Sequence, residues 1–228
     1  MEKNTLYILL LTVAIVIIIV IIFYSNTKNV IRRKLNKTKT TPISSCKENQ
    51  YVKIIGKAEK LNKTLIAPIS KTPCLYYQII IETINNSNDA LGIFWETVFR
   101  DEQFVDFIIN TKKGKAILEV SMSQNHKEVY LTKDKKIRSG IFNDAPKYIE
   151  NYLASHGKSS EGLFGFNKSM RYREGIIEIG ESIAILGIAN FKESNYKLDH
   201  YSSKDLFISG RPNQKLMITD DKWAVSGS

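Results

Sequence analysis

Cysteine and histidine are scarce in this chain. Two cysteines, Cys46 and Cys74, stand among 228 residues. That excludes a disulfide scaffold. It also excludes any four-cysteine zinc finger, ribbon or RING, because three histidines are too few to complete the ligand sets. His126, His156 and His200 lie far apart in sequence, with no metal-type spacing, and read as surface or capping residues. The nucleotide and hydrolase signatures GxxxxGKS, GxSxG, HExxH and GxGxxG do not occur. Acids are also in deficit, 23 against 33 Lys and Arg, for a formal charge of +10. A hydrophobic share of 43% excludes a disordered chain.

The length corresponds to about one and a half domains, and the first forty residues differ from the rest. Residues 6–24 read LYILLLTVAIVIIIVIIFY, with no charge and Thr12 as the one plainly polar residue. As a helix this run spans roughly 28 Å, close to the hydrocarbon thickness of a bilayer. In lipid the backbone must satisfy its own hydrogen bonds, so helix overrides the strand propensity of Ile and Val. A cleaved signal peptide is the alternative. The run is long for one, the preceding residues are nearly uncharged, and no small-x-small site follows Phe23 and Tyr24. We therefore expect an uncleaved anchor, with Tyr7, Phe23 and Tyr24 as interfacial aromatics.

Lys28, Arg32, Arg33, Lys34, Lys37 and Lys39 follow the run with no acid among them, whereas only Lys3 precedes it, offset by Glu2. The positive-inside rule then places the N-terminus outside and the C-terminal domain in the cytoplasm. The six cations are expected to lie against anionic headgroups, making the bilayer the first partner. Residues 1–40 carry a net +6, and the remaining 188 carry a thinly spread +4. No compact basic patch interleaved with aromatics is visible in sequence, which argues against nucleic acid as a partner.

Residues 43–228 show no second long apolar run, no heptads and no repeat. Strands are expected over residues 52–58, 74–82, 93–99, 126–132, 206–210 and 215–220, with 74–82 central and buried on both faces. Residues 85–89, NNSND, read as a polar turn. Thr111 to Gly114 reads as a hairpin between FVDFIIN and KAILEV. Gly180-Glu181 turns the chain between two further strands, and Gly187 inside the second marks a bulge or close backbone approach. One helix is expected, with Asp144 as N-cap, Pro146 in the first turn, Gly157 past the end, and an apolar face of Tyr148, Ile149, Tyr152 and Leu153. Leu163, Phe164 and Phe166 in the loop that follows are either tucked onto the core or form an exposed contact patch. The fold class is therefore α+β and mostly β: a transmembrane helix, then a barrel-like or sandwich domain with one packed helix. The expected divisions are a tail (1–5), the span (6–24), a basic juxtamembrane linker (25–42) and one β-rich domain (43–228).

The ordered motifs resemble the GIDE-type domain, also called the Beside-A-Membrane or BAM domain, of mitochondrial membrane-anchored ubiquitin ligases and of prokaryotic membrane proteins. The resemblance begins at Gly56 in VKIIGKAEKL. It continues through LIAPISKTPCLYYQIIIE, where Pro68, Ser70, Cys74, Tyr76 and Tyr77 match a proline-serine turn followed by Cys and an aromatic strand. Trp95 and FVDFIINTKKGKAILEV match the next strands, with Asn110 where the family shows an acid and Gly114 after it. RYREGIIEIGESIAILGIA matches an Arg-aromatic-x-Glu strand, a Gly turn and an apolar strand. The match spans roughly residues 51–220. The eukaryotic ligases add a second span and a RING, and Cys46 and Cys74 cannot build two zinc sites. In the mitochondrial relatives the domain faces the intermembrane space, whereas the basic run here argues for the cytoplasm.

Cys74 as a thiol nucleophile is set against a small, inert, buried Cys, the usual state at the start of an apolar strand. Arg171 and Arg173, two apart on one expected strand, share a face, and Glu174 points to the other. They read either as cross-strand ion pairs or as an anion or acidic-partner site to which Ser70 and Lys71 contribute. The expectation is a single-pass, membrane-anchored, non-catalytic interaction or ligand-sensing module, with an unknown protein or small molecule as partner and no metal or cofactor. The alternatives are a ubiquitin-ligase-type enzyme, a Cys-dependent hydrolase, or a structural subunit of a membrane complex.

Overall fold

The uncharged N-terminal run folds as α1 (Glu2–Ser25). Its segment Asn4–Ser25 is, among the described residues, the one helix long and apolar enough by length and composition to cross a membrane. The structure, a computed structural model, describes residues 2–85, 94–140, 144–158, 169–196, 198 and 203–226. Residues 86–89 of the expected turn, the loop residues Leu163, Phe164 and Phe166, and His200 lie outside these.

The basic stretch is a second helix rather than a linker. Asn26 interrupts α1 and caps α2 (Thr27–Lys37), its side chain accepting from the Lys28 N–H at 3.0 Å. The strands that follow are β1 (Tyr51–Lys60), β2 (Leu65–Ile66), β3 (Pro73–Asn85), β4 (Phe94–Phe104), β5 (Phe107–Thr111), β6 (Gly114–Leu118), β7 (Lys127–Tyr130) and β8 (Lys135–Ser139). After them come α3 (Lys147–Ser155), β9 (Met170–Glu178), β10 (Ser182–Glu193), β11 (Lys204–Ser209), β12 (Leu216–Thr219) and the short α4 (Lys222–Val225).

Of the two expected architectures, the barrel forms. Five strands run β1-β5-β6-β11-β10, and pairing of β10 back to β1 closes the ring. Only the β6–β11 contact within the ring is parallel. Closure leaves this five-stranded barrel without an open edge. Val52, Ile54, Phe107, Ile109, Leu118, Ile183, Ile185 and Ile208 fill the interior. Gly187 faces that interior, where a Cβ would come within 2.5 Å of the Ile208 side chain. Of its two expected roles, close approach is the one found. β12 and β7 extend the sheet beyond β10.

The second sheet is antiparallel, with β3 between β4 and β9, β8 outside β9, and β2 beside the start of β3. Residues 74–82 are buried throughout, which fits the two-faced burial expected for this run. The expected helix, α3, packs on this sheet: Ile149 and Leu153 meet Ile79, Ile81, Tyr172 and Ile176. It begins at Lys147, with Pro146 and not Asp144 in the cap position. The residue before a proline is driven out of the helical region, so Ala145 cannot extend the helix backwards. β8 was not expected because KKIRS carries three charges. It is an edge strand, where charged side chains reach water and oppose further pairing.

α2 packs onto the outside of the barrel. Ile31 and Leu35, one helical turn apart, are fully buried against Ala184, Leu186 and Met217, with Tyr51, Tyr130 and Trp223 around them. Alternate residues of β10 therefore serve two cores, Ile183 and Ile185 inside and Ala184 and Leu186 under the helix. Leu35→Ala should lower stability by about 2–5 kcal/mol in denaturant titration. A chain starting at Asn26 should be monomeric, whereas one starting at Thr41 exposes the α2 seat and should self-associate on gel filtration. Equal behaviour of the two would mean that α2 contributes nothing to the fold.

Candidate functional site: the basic face of the second sheet

Residues paired directly across a sheet lie on one face. Arg100, Ile80, Arg173 and Lys136 form one such row across β4, β3, β9 and β8, and Glu82, Arg171 and Arg138 form the next. Glu82, nearly buried, accepts from both Arg171 Nε and Arg173 Nη2. The two candidate arginines are thus brought together by a shared carboxylate. The Arg171 guanidinium stacks on Trp95 at 4.5 Å. Arg173 Nε is buried with no hydrogen-bond partner.

Lys133 joins this face through the segment between β7 and β8. That segment crosses β9 at Gly175, where a Cβ would lie 2.5 Å from the Thr132 carbonyl oxygen, so only glycine permits the crossing. Carboxylates pin it on both sides. Thr132 N and Oγ1 each donate to Asp220 at 2.8 Å, and Asp134 accepts from the Ile176 N–H at 2.9 Å. Lys133 Nζ reaches Gln78 Oε1 at 3.4 Å. Burial, then the charges of Arg173 and Arg100, push its pKa down to about 8.

Ser70 and Lys71 sit apart from the arginine pair, on the α3 side of the sheet. Glu174, fully buried on that opposite face, accepts from the Ile69 and Ser70 N–H groups at 2.8 Å each and holds the proline-serine turn. The Ser70 hydroxyl is buried without a partner, and the Lys71 ammonium lies 5.4 Å from the Tyr148 ring centre on α3. Cys74 is fully buried in the same layer, and burial together with Glu174 pushes its thiol up to about 12. Such a thiol holds almost no thiolate at neutral pH. Tyr77 of β3 and Tyr152 of α3 both donate to Asp101 of β4.

The six cations that follow the apolar helix divide. Lys28 pairs with Asp221 at 3.2 Å and lies over Tyr130, while Arg32 lies over Trp223. Arg33 stacks on Tyr24 at 3.6 Å, and Asn29 donates to the Phe23 carbonyl at 2.8 Å, so the α1–α2 joint is stitched. Lys34, Lys37 and Lys39 are exposed. A separate cleft of about 640 Å³ opens between the residues after α2 and the β5–β6 hairpin, lined by Pro42, Ile55, Gly56, Lys57, Lys112 and Lys113 among others. Among the described residues, no three His, Cys, Asp or Glu side chains gather as a metal-holding group.

Arg100 and Lys133 carry no signal in sequence, one lying in a charged strand and the other in a polar connector. A glycine following Arg-Tyr-Arg-Glu was the available clue that backbone approaches this strand closely.

Glu174→Ala leaves two N–H groups without their acceptor and should cost about 2–5 kcal/mol, measured by denaturation. A second expectation concerns pH. Burial pushes Glu181 up to about 7 against a hydrogen bond from the Glu178 N–H, and Asp220, Asp134 and Glu178 add repulsion. The folded chain then holds this proton more tightly than the unfolded chain, whose value is near 4.5. The group's contribution is complete below about 4.5 and is lost as pH rises through about 7. Glu181→Gln should flatten that part of the stability–pH curve. An unchanged slope would place the titration elsewhere.

Comparison with protein-family models, with curated proteins and with solved structures gave no match.

Proposed function

We propose that this chain is a single-pass membrane protein whose β-rich domain is a non-catalytic interaction or ligand-sensing module of the GIDE/BAM type, held beside the bilayer. The observation that carries this reading is the docking of α2. A flexible basic linker would let the domain roam, whereas a helix buried through Ile31 and Leu35 and stitched to the end of α1 fixes the domain where the apolar helix ends. The exposed Lys34, Lys37 and Lys39 suit contact with anionic headgroups. The basic face, organised by Glu82, is the module's contact surface. The six cations after the span support a cytoplasmic domain and an external N-terminus.

A reporter fused after Ser228 should be active only in the cytoplasm, and activity outside would reverse the orientation. A photo-cross-linking residue replacing Lys136 should give discrete adducts in native membranes. The Ile31→Ser/Leu35→Ser chain should lose them while still melting cooperatively. Absence of adducts from the otherwise unaltered chain would sink the module reading.

A further inference from the structure

The basic face is a contact surface in the reading above, and its geometry says more about what it contacts. Three features converge on one place. Arg173 uses Nη2 on Glu82 and leaves Nε buried and unpartnered. Buried donors are normally satisfied, so an orphan of this kind calls for a partner. Lys133 is half-buried near it, and its one hydrogen bond among the described residues is a long contact, 3.4 Å, to a neutral amide oxygen. Arg100 stands in the same cross-strand row as Arg173, two strands away, and is exposed. None of the salt bridges among the described residues engages Lys133 or Arg100.

The arrangement is preorganised. Lys133 is held between two pinned neighbours, Thr132 on Asp220 and Asp134 on Ile176, so its backbone does not need ordering when a ligand arrives. The charged groups acting on its ammonium are Arg173 and Arg100 on the sheet, Asp134 in the connector and Asp220 beyond it, while Glu82 holds Arg173 and Glu102 lies beside Arg100 on the same face. The Asp134 and Asp220 carboxylates are occupied by backbone N–H groups. Clustering cations in a partly dry place is costly for the empty protein, and a bound anion relieves that cost. A planar guanidinium with a lysine beside it suits the tetrahedral oxygens of a phosphate group.

We propose that Lys133, Arg173 and Arg100, with Gln78, form a binding site for a phosphate group. Two sources share that chemistry: a free phosphorylated small molecule and the headgroup of an anionic phospholipid. Contacts link the site to the start of α2, next to the apolar helix. Lys28, at the start of α2, pairs with Asp221, and the adjacent Asp220 holds Thr132, the neighbour of Lys133.

The test uses the full chain in neutral detergent, titrated calorimetrically with inorganic phosphate and, separately, with mixed micelles containing phosphatidic acid or phosphatidylcholine. Phosphate or phosphatidic acid should bind, and phosphatidylcholine should bind more weakly. Lys133→Gln and Arg100→Gln should each weaken binding about tenfold. Lys133→Arg should keep it, and Lys34→Gln/Lys37→Gln/Lys39→Gln should leave it unchanged. Lys133→Gln should also melt no lower than the parent without phosphate, since it removes a buried charge. Binding of inorganic phosphate assigns the site to free phosphorylated compounds, and binding of phosphatidic acid alone assigns it to a lipid headgroup. Three results would overturn the proposal: no binding of either probe, the same affinity in Lys133→Gln, or loss only in the triple lysine variant. If phosphate fails while cross-links from position 136 persist, the contact surface stands and phosphate recognition falls.

Discussion

β10 is the strand on which the rest of the molecule depends. Its odd residues, Ile183 and Ile185, face the barrel interior, and its even residues, Ala184 and Leu186, form the seat for α2. Pairing to β1 on one edge and to β11 on the other closes the barrel, and pairing to β12 carries the sheet outward to β7. A strand buried on both faces must be apolar throughout, and residues 183–189 contain no polar side chain. Small residues are as necessary as large ones here. Ala184 allows the helix to approach, and Gly187 leaves room for Ile208.

The second sheet follows the same economy of faces with a different chemistry. One face of β3 and β9 is capped by α3 and is apolar around a single buried acid, Glu174, which earns its place by binding two backbone N–H groups. The other carries arginines drawn together on Glu82 and a lysine lowered onto it by the Thr132–Asp220 clasp. The strand Arg171-Tyr172-Arg173-Glu174-Gly175 serves both faces by simple alternation. Its glycine admits another backbone, which carries Lys133 onto the face of Arg173.

Much of the fold was legible because runs of β-branched and aromatic residues bounded by turn signals report strands directly. Residues 52–58 and 74–82 are rich in β-branched and aromatic side chains and lie in strands, and the expected strands 206–210 and 215–220 overlap β11 and β12. The turn at Gly180, with φ 86, and the helix end at Gly157, with φ 66, were legible because few other residues accept those conformations. α2 was hidden because six cations in its neighbourhood dominate the reading of residues 25–42. Its three apolar contacts, Val30, Ile31 and Leu35, stand among five cations and were outweighed by them without the surface they meet. The start of α3 was misplaced because Asp144 is a good cap by type, while Pro146 governs the backbone that precedes the helix.

The sequence by itself determined the apolar helix, the β-rich class, the charge asymmetry about the apolar run, and the pairing of Arg171 with Arg173 on one face away from Glu174. These follow from local composition and from the two-residue repeat of a strand, which require no knowledge of distant residues. Only the tertiary structure decided the barrel closure of β10 on β1, the seat of α2, the acid that the arginines share, and the separation of Ser70 and Lys71 from them. Each of these brings together residues far apart in the chain, as with Glu82 and Arg171 or Ile69 and Glu174. The register that joins them is set by how the whole set of strands packs, and no local pattern encodes it.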